Sequence, residues 1–183
     1  MIPLYLDPNQ ARIALIGRGA LAVRRLEWLR AGGAVPDVWS DAPSSDLLVA
    51  AQGLQRCLPP PADIEAYHAI WIADLDRDEA DRLACLARAA GVLVNVEDVP
   101  ALCDFHTPAV VRRGRLTLAA ATGGASPAVA RMVRERLETT FPGAWGDVLD
   151  EIAQSRTELR ERGAGIDDLI ADARARLISR HLV

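Results

Sequence analysis

Lysine is absent: all 21 basic side chains among the 183 residues are arginine. A Schiff-base lysine and the lysine of a Walker-type phosphate loop are therefore excluded. Codon bias in a GC-rich genome accounts for such a composition, while the planar guanidinium fork suits carboxylate and phosphate ligands. Cysteine is scarce as well. Cys57, Cys85 and Cys103 are odd in number and make no CxxC pair, so free thiols are expected rather than a disulfide framework or a zinc knuckle. No apolar run approaches the roughly 20 residues of a membrane span, and the N-terminus lacks the basic and apolar regions of a signal peptide. A cytoplasmic protein with no membrane partner is expected. Positive charge is also in deficit: the formal net charge of −4 argues against nucleic acid as the main partner. Apolar side chains are plentiful at half of the chain, enough to bury the core of one large domain or two small ones.

Short β-rich runs alternate with helical stretches over the first hundred residues. Strands are expected at 12–16, 35–39, 53–58, 68–73 and 92–96, with helices at 20–31, 45–51 and 77–90, where apolar residues recur at helical spacing. That alternation predicts a parallel sheet wrapped by helices. The run Pro59-Pro60-Pro61 reads as a break. After Pro108 the pattern changes: 109–112 and 116–121 read as strands around the tight turn Arg113-Gly114-Arg115, and from Ser126 the chain is helical, with breaks at Pro142-Gly143 and 162–165.

Two glycine turns lead into helices. In Ile13–Ala22, an apolar run feeds Gly17-Arg18-Gly19: Gly17 permits the tight turn, Gly19 allows a phosphate to approach the backbone, and Ala22 is small enough for close helix packing. Backbone N–H groups at such a turn suit a dinucleotide pyrophosphate, with Gly17, Gly19, Ala20 and Leu21 in contact; otherwise the motif is simply a compact strand-to-helix turn. Ser40-Asp41-Ala42-Pro43 follows the second strand. There Asp41 either accepts from ribose hydroxyls, favouring NAD over NADP by repelling a 2′-phosphate, or caps the helix beginning near Ser44. Asp76 and Asp78 read as charges at a helix start. In Asn95-Val96-Glu97-Asp98-Val99-Pro100, at the carboxyl end of a strand, Asp98 is either a proton acceptor or a turn cap, and alternation places Glu97 towards solvent. His106 either binds a metal or shuttles a proton, or it is a packed or hydrogen-bonded loop histidine; one histidine does not make a metal site. Arg131 and Arg134 lie three apart and share a helix face. They either meet an anionic ligand or belong to a solvated face opposite a buried stripe of Ala128, Val129, Met132, Val133 and Leu137.

These segments, in this order, make the chain resemble the N-terminal family of siroheme synthases, the precorrin-2 dehydrogenases, over roughly residues 2–160. That family commonly has three consecutive glycines where this chain has Gly17-Arg18-Gly19, and it reads Asn-Val-x-Asp-x-Pro at 95–100. The resemblance implies an α/β fold: a Rossmann-type NAD-binding domain (1–107), a small strand-exchanged dimerisation region (108–143) and a helical C-terminal domain (144–183), with the active site in the cleft between domains of a homodimer. It implies NAD as cofactor, bound by Gly17, Gly19, Ala20, Leu21, Asp41, Ala42, Pro43, Asp74 and Asn95, with Asp74 bordering the nicotinamide. Asp98 becomes the catalytic residue. The implied ligand, precorrin-2 or sirohydrochlorin, carries several carboxylates, to be met by His106, Thr122, Gly123, Gly124, Ser126, Arg131 and Arg134. The expected reaction is NAD-dependent oxidation of precorrin-2 to sirohydrochlorin. Its alternatives are a bifunctional dehydrogenase and ferrochelatase, and a non-catalytic dinucleotide- or tetrapyrrole-binding dimer. A chain ending at Val183 is expected to stand alone, without a methyltransferase domain.

Overall fold

A computed structural model describes residues 1–183 as two compact units, Met1–Thr107 and Pro108–Val183. The first contains β1 (Ile13–Gly17), α1 (Ala20–Ala31), β2 (Asp37–Trp39), α2 (Ser45–Ala50), a one-turn α3 (Pro61–Ile64), β3 (Ala69–Ala73), α4 (Arg77–Ala89) and β4 (Leu93–Val96). The strands form one sheet in the order β2-β1-β3-β4, and every neighbouring pair is parallel. Parallel sheets are covered on both faces, so their strands read as continuous apolar runs. All five residues of β1 and all five of β3 are buried accordingly.

Alternation along the strands divides the core into two layers. Ala14, Ile16, Ile70, Ile72, Val94 and Val96 pack with Leu83, Ala84 and Ala87 of α4. Ile13, Leu15, Val38 and Trp71 point the other way, onto Leu26 and Leu29 of α1 and Leu47 of α2. Because β2 and β3 lie on opposite sides of β1, the strand order reverses there. The carboxyl ends of β1 and β3 therefore flank the switch point at which open α/β sheets bind ligands.

Three expectations for this unit need correction. The strand expected at 53–58 amounts to a single bridge between Trp39 and Gln55, because Gly53 takes a left-handed φ of 77° and prolines follow directly. The second strand starts at Asp37 rather than at residue 35, as Val35 is exposed and Pro36 has no N–H to give a ladder. Pro61 does not break structure but opens α3 at its first position, where the missing N–H costs nothing.

The second unit begins with the antiparallel hairpin β5 (Ala109–Arg113) and β6 (Leu116–Ala120), followed by α5 (Pro127–Thr140), α6 (Ala144–Glu161) and α7 (Ile166–Ser179). It thus includes both the 108–143 segment and the helical segment 144–183. The backbones of the hairpin turn and α6 meet at two glycines. A Cβ on Gly146 would lie 3.2 Å from the Gly114 nitrogen and 3.1 Å from the Arg113 carbonyl carbon. The stripe expected to be buried on α5 is not: Val129, Met132 and Val133 are exposed and the helix buries no residue, since nothing in the second unit covers that face. No helix is long and apolar enough to cross a membrane.

Candidate functional site

The glycine turn shows how the sequence prepares an anion site. Helix α1 starts at Ala20 without a side-chain cap of its own, which leaves its first N–H groups to outside partners. They are taken by Asp74, one residue beyond β3. Its Oδ2 accepts from the N–H of Gly19 at 3.1 Å and of Ala22 at 2.9 Å. An anion thus occupies the place and the hydrogen bonds that the helix N-terminus offers a phosphate. Both glycines are needed by their neighbours. A Cβ on Gly17 would fall 2.5 Å from the Ala73 carbonyl oxygen and 2.7 Å from the Ala22 Cβ, and one on Gly19 would lie 3.0 Å from Asp74 Oδ2. Asp74 itself is left-handed, with φ 58°. The aspartate expected beside the nicotinamide therefore has its carboxylate turned back onto the turn.

Arg18 neither projects freely nor lies open to a ligand. Its guanidinium is bidentate to Asp41, with both contacts at 2.8 Å, and lies 2.7 Å from Glu79 and 3.8 Å from Asp76. Its backbone carbonyl accepts from the Ser44 N–H at 2.7 Å, so the glycine turn is tied to the end of β2 through both main chain and side chain. The hydrogen bonds from Arg18 hold the Asp41 carboxyl below the usual carboxylate range, and the guanidinium is raised above its ordinary value. Asp76 is lowered, chiefly by the Glu79 N–H that it accepts as the cap of α4; Glu79 is raised by the carboxylate of Asp76 close beside it. Three carboxylates around one guanidinium leave this edge negative. Asp41 is not a helix cap, because Ser44 Oγ accepts from the Leu47 N–H at 3.2 Å and caps α2. Ala42 and Pro43 continue the same loop, and fully buried Ser40 Oγ next to Asp41 has no partner.

At the end of β4, Asn95, expected to touch the cofactor, is engaged within the protein. It is buried, and its amide donates to the Phe105 carbonyl at 2.8 Å, pinning the following loop to the strand. Asp98 is exposed and left-handed, with φ 60°. Glu97 does not face solvent: its side chain is 13% exposed and paired with Arg25 of α1. Alternation did set it opposite Val96, but α1 covers that face too. Cys103 is half-buried, and burial raises its thiol. His106 is exposed in the loop beyond. A hollow of about 160 Å³ lies at the carboxyl ends of β3 and β4, lined by Ile72, Asp74, Leu75, Arg77, Val96 and Glu97 among others.

The remaining candidates belong to the second unit. Gly123 and Gly124 are left-handed, at φ 66° and 83°. Thr122 Oγ1 accepts from the Ser126 N–H and donates to the Ser126 carbonyl, while Ser126 Oγ accepts from the Val129 N–H to cap α5. Arg131 bonds Glu135 at 2.9 Å, and Arg134 pairs with Glu138, each one helical turn further along. The hydroxyls at this turn are thus engaged with backbone, and the two arginines lie on a solvated face. A hollow of about 160 Å³ between α6 and α7 is lined mainly by Ile152, Ile166, Leu169 and Ile170, and Asp172 at its rim is held by Arg176.

A family model described as Putative NAD(P)-binding matches residues 4–109, more than half of the chain and nearly all of the first unit. The chain belongs to this family. Curated relatives extend the likeness into the second unit. The siroheme synthase of Methylococcus capsulatus is 36% identical over 179 residues, covering 96% of this chain and 36% of that protein. That of Nitrosococcus oceani is 33% identical over 169 residues, covering 90% and 36%. This chain thus spans about a third of the length of the curated relatives that it matches. Among solved structures, a chain titled SirC, precorrin-2 dehydrogenase, aligns with a TM-score of 0.71 at 21% identity, over 96% of this chain and 88% of that one. The overall fold is shared.

Sequence reading missed two features of the site. Arg25 sits at Ala22, Leu26 and Leu29 spacing on the buried stripe of α1. A charged residue on such a stripe signals a buried partner. The other feature, Asp74 as the cap of α1, had no local signal, because 52 residues separate it from Ala22.

Proposed function

We propose that this chain is a precorrin-2 dehydrogenase that uses NAD and yields sirohydrochlorin. The observation that carries the reading is the pairing, at one edge of one parallel sheet, of an anion-accepting glycine turn with an exposed, left-handed carboxylate on the β4 turn, Asp98. The names of the relatives, siroheme synthases and a precorrin-2 dehydrogenase, support the choice of substrate. A dinucleotide suits the first unit: two N–H groups of the α1 turn already converge on an oxyanion, and a side chain on Gly19 would crowd it. When bound, the nicotinamide supplies an acceptor for a hydride.

The residues of the chain divide the remaining work. Gly17, Gly19, Ala20 and Leu21 present the turn to the pyrophosphate. Asp41, with Ala42 and Pro43 beside it, receives the adenosine ribose and, in the negative edge around Arg18, disfavours a 2′-phosphate, which supports NAD over NADP. Asp98 takes the proton that the macrocycle gives up as its hydride departs. Gly123, Gly124, Arg131 and Arg134 meet substrate carboxylates. Exposed ion pairs within a helix contribute about 0.5 kcal/mol or less, so Glu135 and Glu138 are readily exchanged for a ligand carboxylate. The apolar face of α5 that the second unit leaves uncovered supports a homodimer through that unit.

Anaerobic mixing of the protein with precorrin-2 and NAD tests the reading. NADH should appear in step with the sirohydrochlorin spectrum, with NADP a poorer oxidant, and Asp98→Asn should lower turnover by about 100-fold or more while NAD still binds. Wild-type protein that binds NAD but turns over no precorrin-2 would refute it.

A further inference from the structure

Glu97 and Arg25 form the most completely buried ion pair in the chain, immediately before the proposed base. Glu97 Oε2 accepts from Arg25 Nε at 3.2 Å and Nη2 at 2.5 Å, and Oε1 lies 3.4 Å from Arg24 Nη2. The two side chains are only 13% and 10% exposed, although 72 residues separate them. The Arg25 guanidinium lies 5.2 Å over the Trp28 ring, and Trp28 leans on Trp71, which meets the edge of Phe105. Arg25 is thereby fixed in direction by an aromatic floor as well as by its partner. The Glu97 main chain is held too, its N–H donating to the Ile72 carbonyl at 2.9 Å. The next residue, Asp98, takes the left-handed backbone, which few residues other than glycine, asparagine and aspartate adopt.

A buried ion pair is a poor means of adding stability, since two apolar side chains of similar volume do as well or better. What it does add is a single, directional register between two elements. We propose that the Arg25–Glu97 pair is a positioning device for Asp98: by locking the residue before it to α1, it fixes the turn so that the Asp98 carboxylate projects at the sheet edge in one orientation. This rests on Asp98 acting as the base. The pair itself touches no reacting atom; it acts through the turn.

Four variants test the inference: Glu97→Gln, Arg25→Lys, the apolar double variant Arg25→Met/Glu97→Leu, and Asp98→Asn. Arg25→Lys keeps the charge but loses the bidentate fork, and is expected to lower kcat about tenfold or more, with NAD affinity and melting temperature nearly unchanged. Glu97→Gln should lower kcat similarly and also lower the melting temperature, because it leaves the buried Arg25 charge unpaired. The double variant should match or exceed wild-type stability and still lack the rate. A merely structural pair predicts the reverse: kcat returning along with stability in the double variant, or Arg25→Lys at the wild-type rate, and either result overturns the proposal. Should the double variant not fold, the kcat and NAD affinity of Arg25→Lys decide. Asp98→Asn separates the two levels. If it retains the wild-type rate, the base assignment falls; if it loses the rate while Arg25→Lys and Glu97→Gln keep it, only the positioning role falls.

Discussion

Removing the Asp74 carboxylate should make the protein less stable and better at holding NAD, by similar free energies. Asp74 Oδ2 serves two N–H groups at the start of α1, at 3.1 and 2.9 Å, where no other side chain caps the helix. Loss of such a cap costs about 1–2 kcal/mol. For a chain of this length Asp74→Ala should therefore melt about 3–6 °C lower. Asp74→Asn should fall by less, because asparagine keeps an acceptor oxygen and tolerates the left-handed φ of 58°. If the pyrophosphate uses those same N–H groups, the wild-type protein must first release its own carboxylate, at the same cost of about 1–2 kcal/mol. The alanine variant is spared that step, so its NAD dissociation constant should drop by roughly 5- to 30-fold. Calorimetric titration with NAD, beside thermal melts of wild type, Asp74→Asn and Asp74→Ala, reads both quantities. Weaker NAD binding by Asp74→Ala would show that the carboxylate touches the cofactor, and unchanged affinity would show that the pyrophosphate does not use the turn. Either result refutes the competition.

Gly146→Val sets a side chain against the hairpin backbone, with its Cβ about 3.1 Å from the Arg113 carbonyl carbon and no flexible neighbour to move. It should cost about 1–3 kcal/mol in the melt of the second unit, with NAD affinity unchanged. Gly17→Ala forces a Cβ to 2.5 Å from the Ala73 oxygen, so the first unit should be destabilised even in the absence of any ligand; a stable variant that merely binds NAD poorly would contradict that packing. Burial raises the Cys103 thiol, so at a given pH it carries less thiolate than an ordinary cysteine. In iodoacetamide labelling near pH 8, exposed Cys57 and Cys85 should react about tenfold faster or more, and Cys103 should gain on them only as the pH rises; equal rates at pH 8 would contradict its burial.

Periodicity and turn chemistry are local, and they placed most elements within a residue or two: α1 at 20–31, β4 within 92–96, and the breaks at Pro142-Gly143 and 162–165. They failed at 53–58, where the composition allows an extended run but only one bridge to β2 forms. Gly17, Gly19 and Asp98 were legible as site candidates for the same reason, because a glycine turn after an apolar strand and an aspartate at a strand end are one-dimensional patterns. Their partners were not legible. That Asp74 caps α1, Arg18 clamps Asp41, and Glu97 turns inward to Arg25 depends on strand order and on α1 covering the second face of the sheet, contacts made across 52, 23 and 72 residues. A sequence alone determines which side chains are available and which backbone turns they can make. Only the tertiary structure decides which charges meet, because pairing energy depends on distance and burial, and neither exists until the sheet has assembled.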